Sequence, residues 1–327
     1  MDKRHILVTG GAGYIGSHMT LALLEAGERP LVIDNLSTGS RAVVPAGVPL
    51  FEGNVGDAEF VGRIMDAHPI EAIIHFAASV VVPESIAKPL AYYGNNTANT
   101  RTLLECAIQR GVPHLVFSST AAVYGEAERT PVDEDDPTRP INPYGRSKLM
   151  VEWMLADIAQ AHPFSYAALR YFNVAGADPQ GRTGQSTPNA THLIKVAVQA
   201  ALGKRPGLDV YGTDYPTPDG SCIRDYVHVS DLAQAHLDAL QYLRAGQPSI
   251  TCNIGYENGY SVLDVIEVVK RVSGVDFETR IRDRRAGDPA ALIAANQRAR
   301  NQLNWTPRYD NLETIVRDAL AWERQLG

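Results

Sequence analysis

The sequence predicts an α/β protein: a doubly wound parallel sheet followed by a smaller C-terminal α/β lobe. Three observations predict it. Short apolar runs alternate with helical stretches through residues 1–173. The first run, Ile6-Leu7-Val8-Thr9, passes directly into Gly10, Gly11, Gly13 and Gly16 and then into a helix closed at Gly27. Beyond Asn173 glycine, proline, threonine and asparagine dominate up to about residue 190, which marks the start of a second lobe.

The glycines carry the first functional reading. At a strand-to-helix turn they let the backbone approach a pyrophosphate, whose charge meets free N–H groups at the helix N-terminus. Gly11, Gly13 and Gly16 satisfy G-x-G-x-x-G, while Gly10, Gly13 and Gly16 satisfy G-x-x-G-x-x-G, so spacing leaves the subfamily open. Pro30-Leu31-Val32-Ile33 reads as the second strand. Asp34 at its carboxyl end is placed to bond a ribose 2′-hydroxyl and to repel a 2′-phosphate. The pattern predicts a Rossmann-type site for NAD rather than NADP.

The remaining elements follow in order. Residues 50–55 read as a third strand, 57–68 as a crossover helix and 72–78 as a fourth strand whose small end suits either close approach to a cofactor or ordinary sheet packing. Residues 95–111 read as a helix, 114–120 as a strand ending in Ser118-Ser119-Thr120, 130–140 as an acidic solvated loop, 142–161 as a helix and 165–173 as a sixth strand. Residues 190–202 read as a helix, 224–231 lead into a helix ending near Leu243, and 249–254 form a strand. Helices over 261–272, 299–303 and 312–326 close the chain. The expected division is 1–173 for the cofactor domain, with 226–254 returning to it, and 174–327 for the substrate lobe.

Composition narrows the partners. With 30 Lys plus Arg against 37 Asp plus Glu, the net charge is −7, which offers no global attraction to nucleic acid or to an anionic membrane. Recognition of an anion must then be local. Cys106, Cys222 and Cys252 are an odd number, far apart and without C-x-x-C, so neither a disulfide framework nor a zinc site is expected. No H-E-x-x-H occurs, and no apolar run approaches the ~18 residues of a membrane span. A soluble cytoplasmic protein without a metal is expected.

Tyr144 and Lys148 lie four residues apart at the start of a helix and so share a face. A phenol ionises near pH 10, and lowering that to about 7 corresponds to about 4 kcal/mol, within reach of an ammonium and a nicotinamide cation in a partly desolvated cleft. The phenolate would be a general base. Thr120, at a strand end, would hydrogen-bond the same substrate oxygen.

Thr9 to Gly16, Ser118 to Gly125 and Asn142-Pro143-Tyr144-Gly145-Arg146-Ser147-Lys148 resemble the extended short-chain dehydrogenase/reductases. Within that group, Leu169-Arg170-Tyr171-Phe172-Asn173, Arg224-Asp225-Tyr226-Val227-His228-Val229 and Arg285-Ala286-Gly287-Asp288 are similar to the UDP-glucose 4-epimerase family. The resemblance covers nearly the whole chain. It implies that Tyr144 takes the proton from the sugar 4-hydroxyl while NAD takes the C4 hydride. A bound 4-keto sugar then turns over and receives the hydride on its other face.

The same resemblance implies cofactor contacts from Gly10, Gly13, Tyr14, Ile15, Gly16, Asp34, Asn35, Asn54, Val55, Phe76, Ala77, Ala78, Asn95, Tyr144, Lys148 and Tyr171. It implies UDP-hexose contacts from Thr120, Tyr144, Asn173, Leu193, Tyr211, Arg224, Arg285 and Asp288. Two arginines can oppose a diphosphate, an aromatic can flank uracil, and an aspartate can accept from ribose hydroxyls. A homodimer through the helices beginning near Asn95 and Asn142 is also implied.

The chain departs from the family pattern at four positions. Asn54 stands for an adenine-side Asp, Val80 for a Lys of some members, and Thr120 for the more usual Ser. Leu292 is intermediate between the bulky Tyr of members restricted to hexoses and the smaller residue of those admitting N-acetyl sugars. UDP-N-acetylhexosamine and UDP-pentose therefore stay open as substrates. A dehydratase is disfavoured because its family places Asp-Glu directly after the triad hydroxyl, where this chain has Ala121-Ala122. A silent NAD-binding protein is disfavoured by the complete triad.

Overall fold

The computed structural model of the chain describes residues 4–187, 190–285 and 287–327. Its first half alternates β1 (His5–Thr9), α1 (Tyr14–Glu25), β2 (Pro30–Asp34), β3 (Leu50–Glu52), α2 (Ala58–Ala67) and β4 (Ile70–His75). Short helices α3 (Val82–Ala87) and α4 (Pro89–Tyr92) and a π-helical turn (Tyr93–Ala98) run into α5 (Asn99–Gln109). Then come β5 (His114–Thr120), α6 (Pro143–Ala161) and β6 (Ser165–Tyr171). The second half holds β7 (Asn173–Ala175), α7 (Leu193–Ala201), β8 (Leu208–Tyr211), β9 (Ile223–His228), α8 (Val229–Arg244) and β10 (Ile250–Ile254). It ends with β11 (Gly259–Ser261), α9 (Val262–Ser273), β12 (Thr279–Arg282), β13 (Ala291–Leu292), α10 (Gln297–Gln302) and α11 (Leu312–Gln325).

Seven strands form one parallel sheet in the order β10-β6-β5-β4-β1-β2-β3. Its strands are apolar on both faces because helices cover both. Ile6 and Val8 enter one core with Met19 of α1 and Leu240 of α8; Leu7 enters the other with Ile64 of α2, Leu103 of α5 and Val151 of α6. The chain winds outward from β1 toward β3 and, in the other direction, from β4 toward β10. A crevice therefore opens at the carboxyl ends of β1 and β4, the switch point at which ligands bind in such sheets.

Local signals set the helix ends. Asp57 caps α2 by accepting the N–H of Phe60 at 3.0 Å, and Asn142 caps α6 by accepting that of Gly145 at 2.9 Å, with Pro143 in the first turn. Ser261 and Asp264 form a capping box on α9, which ends at Gly274 with φ 72°.

Several boundaries differ from those predicted. The third strand stops at Glu52 because Asn54 folds back to accept the N–H of Gly56 at 2.8 Å. The sixth strand stops at Tyr171, and β7 leaves for a smaller sheet, pairing with β9. The β9 portion of 226–254 stays in that smaller sheet, whereas α8 packs on α1 and β10 joins β6. The acidic loop is not uniformly solvated: Val132 and Glu134 are buried, and Glu134 accepts the N–H of Asn253 at 2.7 Å. Strands β8, β11, β12 and β13 have two to four residues each, too short for a periodic signal.

Candidate active site

The switch-point crevice is lined first by the glycine turn. Gly10 has φ 72°, and a Cβ there would stand 2.7 Å from the Ala77 nitrogen, so the ends of β1 and β4 close on each other only without a side chain. A Cβ on Gly16 would stand 2.2 Å from the Gly10 oxygen. Gly13 is the N-cap of α1 and no side chain caps it, which leaves the N–H groups of that first turn, at Tyr14 and Ile15, for an anion. Asp34, buried at the end of β2, accepts N–H groups from Ala12 at 2.9 Å and Leu36 at 2.8 Å.

The other predicted cofactor residues take varied stations. Asn35 and Asn54 are exposed beside Asp34 and the end of β3, and Val55 is buried in the core behind them. Phe76, Ala77 and Ala78 follow β4; the Phe76 ring lies 4.8 Å from that of His236 on α8. Asn95 donates to the Ser79 hydroxyl at 3.0 Å, and neighbouring Asn96 donates to the Ser147 hydroxyl at 3.0 Å. The Tyr14 side chain leaves the cradle and donates to the Gly176 carbonyl at 2.7 Å.

Tyr144, Lys148 and Thr120 converge at the carboxyl end of β5. The Thr120 hydroxyl stands beside the Tyr144 phenol and accepts the N–H of Ala122 at 3.1 Å. Lys148 donates to the Ser118 carbonyl at 2.7 Å and stands 4.9 Å over the Phe117 ring. Burial pushes the Tyr144 phenol up from its ordinary 10, opposed by the neighbouring Thr120 hydroxyl, and burial pulls Lys148 down to about 7. The chain's own groups therefore hold Tyr144 as a neutral phenol, with Lys148 anchored to β5.

Ser118, which sequence reasoning left as a strand-end hydroxyl, is a second node of this corner: its carbonyl takes Lys148 and its hydroxyl accepts from Tyr171. Only the run of three hydroxyls signalled it. Their partners lie on elements remote in sequence.

The predicted nucleotide residues gather in two adjoining places. Asn173 pairs in register with Tyr226, and with Leu193, the first residue of α7, it lines a crevice that Trp322 also lines. Arg224, two residues before Tyr226 on β9, faces Asp288 at 3.7 Å, and Arg285 donates to Asp288 at 2.8 Å. The Arg285 guanidinium lies 4.8 Å over the ring of Tyr211, which is 39% exposed. Asp288, expected to meet a ribose, thus also holds both arginines. Ala286 lies outside the described residues. Leu292 pairs in register with Arg224 and shares a small apolar cluster with Ala121 and Leu149, so it connects the arginine clamp to the triad corner.

The profile of the NAD dependent epimerase/dehydratase family matches residues 6–255. A UDP-glucose 4-epimerase of Azospirillum brasilense is 58% identical over 98% of this chain and 92% of its own length. The chain belongs to the NAD dependent epimerase/dehydratase family. Among solved structures, UDP-glucose 4-epimerase from Brucella ovis in complex with NAD superposes with a TM-score of 0.94 at 43% identity, covering 97% of this chain and 98% of that one. That from Bifidobacterium longum in complex with NAD+ and UDP superposes with a TM-score of 0.94 at 35% identity, covering 98% of both.

This epimerase is NAD-dependent, and its cradle fits the cofactor on its own geometry. The space a Cβ would fill at Gly10 and Gly16 is occupied by backbone, α1 presents an uncapped N-terminus, and Asp34 ends β2. Val80, half exposed, supplies no cation to it. Among the described residues no helix of the epimerase is long and apolar enough to cross a membrane.

Proposed function

We propose that this enzyme interconverts UDP-galactose and UDP-glucose, with Tyr144 as the general base toward the sugar 4-hydroxyl. The observation that carries the reading is the convergence of Tyr144, Thr120 and Lys148 at the carboxyl end of β5, with Lys148 anchored to the Ser118 carbonyl at 2.7 Å one helical turn from Tyr144. Thr120 orients the 4-oxygen, Tyr144 takes its proton and returns it, and Lys148 holds positive charge near the phenolate. Bound NAD supplies a hydride acceptor and donor for C4. Arg224 and Arg285 meet the diphosphate, Tyr211 flanks the uracil, and Asn173 and Leu193 close the other side. Relatives named for the same reaction support the substrate.

In this reading residues 1–173 with α8 and β10 hold the cofactor, and the rest of 174–327 holds the nucleotide sugar. The enzyme works as a cytoplasmic homodimer through α5 and α6. Apolar side chains on and beside α6 support that face: Trp153 is 58% exposed, Ile86 50% and Leu90 82%.

The test is nucleotide-sugar chromatography after incubation of the purified protein, without added NAD, with UDP-galactose, UDP-N-acetylgalactosamine or UDP-arabinopyranose. Conversion of UDP-galactose, reduced about 10³-fold by Tyr144→Phe, is the expected result. The other two sugars measure what Leu292 admits. No 4-epimer from any of the three, with NAD supplied, overturns the reading.

A further inference from the structure

At the carboxyl end of the sheet, Ser119 of β5, Arg170 of β6 and Asn253 of β10 stand side by side in register. They form a buried polar row that the proton chemistry does not use. Residues alternate faces along a strand, so Ser118 and Thr120 turn one way while Ser119 turns toward α6. There it donates to the Glu152 carboxylate. Arg170 grips the same carboxylate, Nη2 to Oε2 at 2.6 Å and Nε to Oε1 at 3.0 Å. Its Nη1 donates to the Tyr124 hydroxyl at 3.0 Å and the Glu134 carbonyl at 3.2 Å. Tyr124 in turn donates to Asn253 at 2.7 Å. The two charged side chains are 7% and 8% exposed.

A buried ion pair roughly breaks even against apolar packing, so stability alone gives little reason for one. What it supplies is a single geometry. Glu152 lies one turn beyond Lys148 and two beyond Tyr144 on α6. Ser119 lies between Ser118, whose carbonyl takes Lys148, and Thr120, whose hydroxyl meets Tyr144. One carboxylate therefore ties the helix carrying two triad members to the strand carrying the third, between their points of contact.

We propose that Glu152, held by Arg170, is a positioning residue for epimerisation: through Ser119 it sets the rotation of α6 against β5 and hence the reach of Tyr144 to the sugar 4-oxygen. This rests on the triad roles proposed above. Misplacement of reacting groups by about 1 Å can cost 10²-fold in rate without loss of binding.

The experiment compares Glu152→Gln, Ser119→Ala, Ser119→Thr and Tyr144→Phe in the NAD-loaded enzyme, measuring kcat, KM, bound NAD, Tm and the primary isotope effect with C4-deuterated UDP-galactose. Glu152→Gln and Ser119→Ala are each expected to lower kcat at least tenfold, with KM within twofold, NAD content unchanged and a larger isotope effect; Ser119→Thr restores kcat. If kcat and the isotope effect stay at wild-type values while only Tm falls, the positioning role is overturned. If Glu152→Gln does not fold, Ser119→Ala, which leaves the ion pair intact, decides alone. Activity surviving in Tyr144→Phe would instead overturn the triad reading beneath it.

Discussion

Asp34 accepts the N–H of Ala12 at 2.9 Å, so the acid at the end of β2 is bonded to the glycine turn 22 residues earlier. The carboxylate expected to meet the adenosine ribose thus also sets the shape of the turn expected to meet the pyrophosphate. Asp34→Asn removes the charge and places an NH₂ group against one of its two N–H donors. NAD affinity is expected to fall about tenfold, with a narrower preference over NADP, because charge-assisted hydrogen bonds contribute ~1.5–3 kcal/mol. Titration of stripped protein with both cofactors checks it.

Gly16→Ala drives a methyl into the Gly10 carbonyl, 2.2 Å away, within rigid backbone. The turn must open, and NAD is expected to be lost on gel filtration together with several degrees of Tm. Gly47→Ala, where a Cβ meets nothing but φ is 84°, costs only backbone strain of about 1 kcal/mol and leaves NAD bound.

Arg285→Ala removes both the lid over Tyr211 and an ion pair to Asp288, all at an exposed rim. UDP affinity measured by calorimetry is expected to fall about 10- to 100-fold while Tm barely moves. Arg224→Ala, from a strand interior where its side chain is 12% exposed, is expected to cost affinity and also Tm.

His236 is buried on α8 between Phe76 and Tyr171, and burial holds it down at about 4. A histidine kept neutral in the fold but protonated below about 6.5 when unfolded lends stability above pH 6.5 that is lost as pH falls toward 4. His236→Phe is expected to reduce the acid-side slope of unfolding free energy by one proton, about 1.4 kcal/mol per pH unit, in urea titrations between pH 6 and 4.5. Asp225 works in the opposite sense. Burial pushes it up to about 6, so its contribution is present at acid pH and lost as pH rises through 6, and Asp225 remains in both proteins.

The parallel sheet was legible because fully buried strands are apolar runs and several helices between them carry side-chain caps, as α2 does at Asp57 and α6 at Asn142. The small strands β8 and β11 to β13 were not, since two to four residues carry no period. Reading 130–140 as solvent-facing failed at Glu134 because its charge is met by the N–H of Asn253, over a hundred residues away.

By itself the sequence determined the strand–turn–helix cradle and the capped helix that brings Tyr144 and Lys148 to one face, since each is encoded over a few neighbouring positions. Only the tertiary structure decided that burial raises the Tyr144 phenol, that Lys148 is tied to Ser118, and that Glu152 and Arg170 stand behind the triad. Those properties depend on desolvation and on hydrogen bonds between elements far apart in the chain, and local pattern carries no record of either.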